Sequence, residues 1–377
     1  MQKFLFLIAA IVLLSCQQNK STDNTSLKPP TDSLDYVQLP EGFRMSVFAE
    51  VPDARSMCWG EQGTLFVGNR KEDKVYALRD EDGDGFAEKR YVIAEKLNTP
   101  NGVAFRKGSL YVAEINRILR FDDIENKLSN PPKHVVLFDL FPDKTWHGWK
   151  FIAFGPDDKL YVPVGAPCNV CDEKDSIFAS ITRLNPDGSE GELYARGVRN
   201  SVGFTWHPLT KEMWFTDNGR DMLGDDIPYC ELNHAPAKGM HFGFPYIHQG
   251  DIPDPEFGKG KKAADYTAPA WKIGPHVAPL GLRFYTGKQF PDSFRNKLFI
   301  AEHGSWNRSK PIGYRVGIAT FDSTAQKILR YEYFAQGWLD AKGNVKGRPV
   351  DIEIAPDGAL LVSDDYAGRI YRISFQQ

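Results

Sequence analysis

Five short segments of this 377-residue chain carry side chains whose types and spacing suit chemistry. The first is Thr145-Trp146-His147-Gly148-Trp149. An imidazole between two indoles suits a general base, a metal ligand or a packed histidine, and most histidines are of the last kind. The second is Val198-Arg199-Asn200-Ser201. Arg199 is a permanent cation whose planar fork binds anionic oxygens, and it serves equally well in a structural ion pair. The third is Asp217-Asn218-Gly219-Arg220-Asp221, followed by Glu231-Leu232-Asn233. Carboxylates, amide oxygens and the bare carbonyls of a Gly-containing turn suit a hard cation such as Ca²⁺. The last two are His303-Gly304-Ser305-Trp306-Asn307-Arg308 and Gly347-Arg348-Pro349-Val350-Asp351.

The elements that must position these segments form a weak repeat. Six β-rich runs recur about 45 to 85 residues apart, each preceded by a turn: Leu65-Phe66-Val67, Leu110-Tyr111-Val112, Leu160-Tyr161-Val162, Met213-Trp214-Phe215, Leu298-Phe299-Ile300 and Leu360-Leu361-Val362. Short strands and turns at that period predict propeller blades. A sandwich seldom runs this long, and β-helix repeats are much shorter. The expectation is an all-β, six-bladed propeller over residues 39–377. Phe43 to Phe48 is expected to join the last blade beside Arg369 to Ser374, because that leaves no open sheet edge. On this frame His147 precedes an inner strand from Lys150 to Phe154, and Arg199-Asn200 precedes one from Val202 to Trp206. Both segments thus reach the central channel from adjacent blades. The longest insertion is read as Gly224 to about Pro279, too polar and broken for a blade, and long ordered loops on a rigid scaffold carry function. Asp80 to Gly85 matches the first half of an EF-hand loop, but Tyr91 stands where the closing Glu belongs. It reads as a hairpin tip suited to weak Ca²⁺ binding, remote from the other segments.

Composition narrows the function classes. With 46 basic and 49 acidic residues the formal charge is −3, which argues against a nucleic-acid binder. Hydrophobic residues at 42% exclude a wholly disordered chain. At the N-terminus Lys3 precedes an apolar stretch from Phe4 to Leu14, and Leu13-Leu14-Ser15-Cys16 has the pattern of a bacterial lipobox. The expectation is a signal peptide over 1–16, acylation of Cys16 and a flexible polar tether over 17–38. The protein would then sit in the cell envelope, lipid-anchored at the periplasmic face. Gln17, rather than an inner-membrane-retaining Asp, favours the outer membrane. In that oxidising compartment Cys168-x-x-Cys171 reads as a local disulfide. Asp172 after it fails the c-type haem pattern.

The order of His147, Arg199-Asn200, Asp217-Asn218-Gly219, Glu231-Leu232-Asn233 and His241-Phe242-Gly243-Phe244-Pro245 resembles the glucose/sorbosone dehydrogenase family over about Leu39 to Phe375. Gly304 to Arg308 and Gly347 to Asp351 look like its sorbosone dehydrogenase branch. The resemblance implies a six-bladed propeller that oxidises a sugar with pyrroloquinoline quinone and Ca²⁺, passing electrons to an external acceptor. It implies His147 as base, with Arg199 beside it at the quinone. Arg199, Asn200, Arg348, Arg308, His303 and Asn101 are the implied cofactor contacts. Gly219 and Arg220, through their carbonyls, with Asp217 and Glu231, are the implied metal set. Glucose-oxidising relatives carry a second Arg where this chain has Val350, and a Lys near the position of His303. A Ca²⁺-dependent lactone hydrolase and a non-enzymatic sugar-binding propeller are the rival readings. The first has no need of several channel arginines, and the second leaves their convergence to chance.

Overall fold

The computed structural model describes residues 25–31 and 33–376. The expected signal peptide, Cys16 and the first part of the tether lie outside the described residues. The described residues form six antiparallel blades in a ring, five of them four-stranded and the first four-stranded with a short fifth strand added at its outer edge. The inner strands are Ala54–Trp59, Gly102–Arg106, Ala153–Phe154, Phe204–Trp206, Pro279–Phe284 and Pro349–Ile354. All six sequence runs fall in the second strands: Leu65–Asn69, Ser109–Ala113, Leu160–Val164, Met213–Asp217, Leu298–Glu302 and Leu360–Asp364.

Packing explains why these runs are apolar throughout rather than alternating. Successive side chains on a strand point to opposite faces. In the fifth blade Leu298 and Ile300 pack with Trp214 of the fourth, while Phe299 and Ala301 pack with Val362 of the sixth. Both faces are therefore buried. The ring closes as expected: Phe43–Glu50 pairs with Arg369–Phe375, from Phe43↔Phe375 to Glu50↔Arg369.

Several boundaries differ from expectation: the inner strands expected from Lys150 and Val202 begin at Ala153 and Phe204. Tyr229–Ala235 and Trp271–Pro275 are the third and fourth strands of the fourth blade, so the insertion shrinks to residues 236–270. It holds the small hairpin Ile247–His248 and Ile252–Pro253. Part of the expected tether also packs on the ring. Thr25–Ser26 pairs with the outer strand Lys89–Ala94, and Gln38 bridges to Gln336. Leu34, Tyr36 and Val37 give this polar stretch the apolar surface that docks it between the fifth and sixth blades.

One topological rule positions the site. Inner and second strands are antiparallel, so the residue entering one lies beside the residue leaving the other. Ala54 pairs with Asn69, Pro279 with Glu302 and Pro349 with Asp364. Segments before inner strands and after second strands therefore gather at one end of the ring.

Candidate active site

That end holds a cavity of ≈ 300 Å³ on the ring axis. Blade by blade, its walls carry Arg55 and Arg70 from the first and His147 and Trp149 from the entry to the third. The fourth supplies Arg199, Asn200, Asn218, Gly219, Asp221 and His276. His303 and Trp306 come from the fifth, and Arg348 from the sixth. Six of the expected site residues thus meet: His147, Arg199, Asn200, Gly219, His303 and Arg348.

His147 is 9% exposed and adopts φ 51°, a left-handed conformation uncommon for a residue with a side chain. Its Nδ1 lies 2.8 Å from the Ala166 carbonyl and its Nε2 lies 3.2 Å from the Trp146 indole Nε1. A carbonyl only accepts and an indole N–H only donates, so the neutral ring carries its proton on Nδ1, and the lone pair of Nε2 accepts the Trp146 N–H. Burial, then the charge of Arg199, holds the imidazole down to about 3. Gly165 makes the approach possible: a Cβ there would stand 2.6 Å from the His147 Cβ. The next residue, Ala166, donates its N–H to the Arg199 carbonyl at 2.9 Å, tying the two loops together.

Arg199 is 4% exposed, with one Nη1 N–H left over from its protein acceptors. Its guanidinium donates to the Asn169 carbonyl and Oδ1 (both 2.9 Å), to the Asn218 carbonyl (3.1 Å) and to Asp221 (3.2 Å). Asn169 also binds both backbone groups of Asp221, accepting its N–H at 2.9 Å and donating to its carbonyl at 3.1 Å. The disulfide Cys168–Cys171 closes the loop that carries Asn169, as the C-x-x-C spacing led us to expect. Cys58 and Cys230 are free thiols. Asp221 further lies 3.8 Å from His276 Nδ1, and its carboxylate raises the pKa of that imidazole.

Across the cavity Asp365 joins Arg55 (2.8 Å) and His303 (2.9 Å). Against the cost of burial, those two partners hold the Asp365 carboxyl well below its usual range. Burial outweighs Asp365 at His303 and pushes the imidazole down to about 4. Val350 is buried against Val202, Leu280 and Trp149.

Two expected cofactor contacts do not reach the cavity. Asn101 is fully buried behind it, where its Oδ1 accepts from Arg55 Nε (2.8 Å) and its Nδ2 donates to the Lys150 carbonyl (2.8 Å). It orients Arg55 from behind. Arg308 turns outward to the Asp225 carbonyl and the Asp226 carboxylate. Arg55, Arg70 and His276, none of them singled out from the sequence, line the cavity instead, together with Asp221 from the third segment. The strand-end rule stated above is the signal that finds the first two.

The expected metal set lies at a tight enclosure of ≈ 10 Å³ that shares Gly219 with the cavity wall. Arg220, Asp217 and Glu231 line it. Asp217 accepts the backbone N–H of Arg199 (2.8 Å) and of Asn200 (2.6 Å), so it also fixes the arginine loop. Glu231, its register partner, accepts from Gln249 N (2.8 Å) and Asn233 Nδ2 (2.9 Å). Burial pushes both carboxyls up. The Asn233 Oδ1 is buried without a hydrogen-bond partner. Two desolvated carboxylates beside an orphaned oxygen and turn carbonyls form a donor set that fits a hard cation. The Arg220 guanidinium is held by Asp254 at 2.5 Å, leaving only its carbonyl for such a role. Asp80, Asp82, Asp84 and Glu88 cluster on the outer hairpin of the first blade, away from this end. The cavity itself, with four arginines and one carboxylate on its walls, fits a ligand bearing several negative charges.

Known proteins share the sequence and the ring. The model of a family described as a domain of unknown function (DUF7133) matches residues 29–372. An uncharacterized protein of Borreliella burgdorferi is 33% identical, covering 90% of this chain and 91% of its own. The holo form of the pyranose dehydrogenase PQQ domain from Coprinopsis cinerea superposes with a TM-score of 0.76 at 18% identity, covering 92% of this chain and 98% of its own. The calcium structure of a Trichoderma reesei carbohydrate-active enzyme of family AA12 gives 0.77 at 17% identity, covering 90% and 97%. The two superpositions share the six-bladed propeller, and by the extent of the family match the chain belongs to the DUF7133 family.

Proposed function

We propose that this protein is a quinoprotein dehydrogenase that oxidises a sugar using pyrroloquinoline quinone and Ca²⁺ and passes the electrons to an external acceptor. The observation that carries the proposal is a neutral imidazole, its proton held on Nδ1 and its Nε2 capped only by the exposed Trp146 indole, next to a buried arginine in a cavity lined by four guanidiniums. The likeness of the ring to the holo pyranose dehydrogenase domain supports it. Within this reading the substrate is an aldose or a related sugar aldehyde, and the sorbosone dehydrogenase branch is the closer kin.

Bound quinone supplies the two-electron acceptor, and Ca²⁺ at the Gly219 and Arg220 carbonyls, with Asp217 and Glu231, supplies Lewis acidity. The chain's own residues do the rest. Once the substrate hydroxyl replaces the Trp146 N–H at His147 Nε2, that nitrogen takes the hydroxyl proton as the hydride leaves the sugar carbon, and the Nδ1–H bond to Ala166 keeps the ring in that tautomer. Arg199 holds an anionic oxygen beside the base. Anchoring a negative charge there offsets the field that depresses His147 and so raises its basicity. Arg348 meets a cofactor carboxylate, with Asn200 and His303 on the same walls. Trp306, 67% exposed at the mouth, offers its ring to a sugar face. In the cell the enzyme is proposed to be an envelope lipoprotein anchored through Cys16, a reading supported by Leu13-Leu14-Ser15-Cys16. Cys16→Ser should abolish lipid labelling and membrane association.

The test is reconstitution. Purified protein given pyrroloquinoline quinone and Ca²⁺ should reduce an electron-accepting dye with at least one member of an aldose panel. It should lose that activity on chelation. Quinone-independent hydrolysis of a lactone, or no reaction with any sugar, contradicts the proposal.

A further inference from the structure

The four cavity arginines are of two kinds. Arg55, through Nε and Nη1, and Arg199, through Nε and both Nη, bind protein oxygens. Arg70 and Arg348 do not: among the described residues neither guanidinium makes a hydrogen bond or an ion pair, and the Arg348 Nε is buried without a partner. Arg70 directly follows the second strand of the first blade. Arg348 directly precedes the inner strand of the sixth, so the ring closure makes them neighbours. The Arg70 backbone N–H is fixed by Asp53 Oδ2 at 2.7 Å. Its guanidinium lies 3.9 Å over the Trp149 ring.

This placement has a physical consequence. Stacking occupies the face of the guanidinium and leaves the N–H donors, which lie in its plane, directed outward. Stacking on the indole offsets part of the desolvation of Arg70 but satisfies none of its donors. Burial, then Arg55, with Arg348 contributing, lowers Arg70 to about 10, against the opposing pull of Asp365 and Asp53. Neither carboxylate pairs with the Arg70 guanidinium: Asp365 is shared by Arg55 and His303, and Asp53 Oδ2 accepts the backbone N–H groups of Arg70 and Lys71. Two unpartnered cations at one wall of a cavity are stable together when an anion bridges them.

We infer that Arg70, oriented by Trp149, is a second anion-binding arginine of the cavity and with Arg348 grips a ligand carrying at least two carboxylates. The identity of that ligand as the quinone rests on the function proposed above; the clamp itself rests on the arginines.

The test is binding to the cofactor-free protein, by fluorescence quenching or calorimetry. Two probes are used: pyrroloquinoline quinone, and benzene-1,2,4-tricarboxylate, which has carboxylates but no quinone. Arg70→Met should weaken binding roughly 10- to 100-fold, the range for losing a charge-assisted hydrogen bond. Arg70→Lys, which keeps the charge and loses the stacked fork, should fall in between. Thermal unfolding of each variant establishes that it is folded. If Arg70→Met does not fold, Arg70→Lys and the salt dependence of wild-type binding carry the test. Binding of either probe unchanged in a folded Arg70 variant overturns the clamp. Tricarboxylate binding that depends on Arg70, without quinone binding, keeps the clamp and removes the quinone. Binding of neither probe to the wild type overturns both.

Discussion

The two walls of the cavity handle charge in opposite ways. On the wall of the third and fourth blades the buried guanidinium is tied to protein acceptors. Arg199 is held by Asn169, Asn218 and Asp221, and its loop by Asp217 and Ala166. On the wall of the first and sixth blades Arg70 and Arg348 reach the cavity with no protein acceptor. The first wall is preorganised, as chemistry requires, since groups that move during a reaction lose their electrostatic advantage. The second leaves its charge for a ligand. Together they divide catalysis from cofactor grip, and that division is what mutation should break.

The largest expected effect is on the first wall. His147→Ala should lower turnover by about 10²- to 10⁴-fold, the usual worth of a general base, while quinone affinity in fluorescence titration stays near that of the wild type. Arg199→Ala should lower both, because its charge meets the ligand and its loop carries the base. Near-normal turnover of quinone-loaded His147→Ala would make His147 a packing residue.

Next is the carboxylate that fixes the second wall from behind. Asp365→Asn removes the shared partner of Arg55 and His303 and leaves a buried guanidinium underpaired. Breaking such a pair costs about 3–5 kcal/mol, readable as a lower urea midpoint at unchanged m-value. Smaller is the loss of the disulfide. Cys168→Ser with Cys171→Ser closes no long loop and should cost about 2 kcal/mol in the chain-entropy picture. Because Asn169 sits inside that loop, turnover should fall more than quinone affinity.

The smallest effect is in pH dependence. The free histidine value near 6.5 falls to about 3 at His147, so between those values the unfolded chain binds a proton that the folded chain does not. The stability contribution of this group is full above pH 6.5 and is lost as pH falls toward 3. Relative to His147→Gln, the wild type should therefore lose stability between pH 7 and pH 4. Histidine NMR of the cofactor-free protein should show His147 neutral at pH 5. In Arg199→Ala its titration should move up.

The ring was legible because its physics is local. Leu298-Phe299-Ile300 and its five counterparts are apolar at every position since both sheet faces are covered, and that pattern survives without any partner in view. Phe43 beside Phe375 followed from the need to close an edge. The expected inner strand from Lys150 shortened to Ala153–Phe154, because the preceding residues bend to place His147. His147, Arg199 and Arg348 were readable from their place before inner strands. Arg55 and Arg70 were not singled out, although Arg55 stands at the start of an inner strand and Arg70 just after a second strand. Their meaning depends on Arg348 and Asp365, nearly 300 residues away and adjacent only through closure. Arg308 and Asn101 failed for the converse reason. Each has the right type and a plausible position, but Asp226 draws the first outward and Arg55 holds the second behind the wall.

The most direct test of the central claim omits dye altogether. Protein loaded with pyrroloquinoline quinone and Ca²⁺ is mixed anaerobically with each of a panel of aldoses, and the absorbance of the bound quinone is followed by stopped flow. The account predicts stoichiometric bleaching to the two-electron-reduced spectrum with at least one sugar, slowed on the order of 100-fold or more in His147→Ala. Loaded quinone whose spectrum no aldose changes would contradict it.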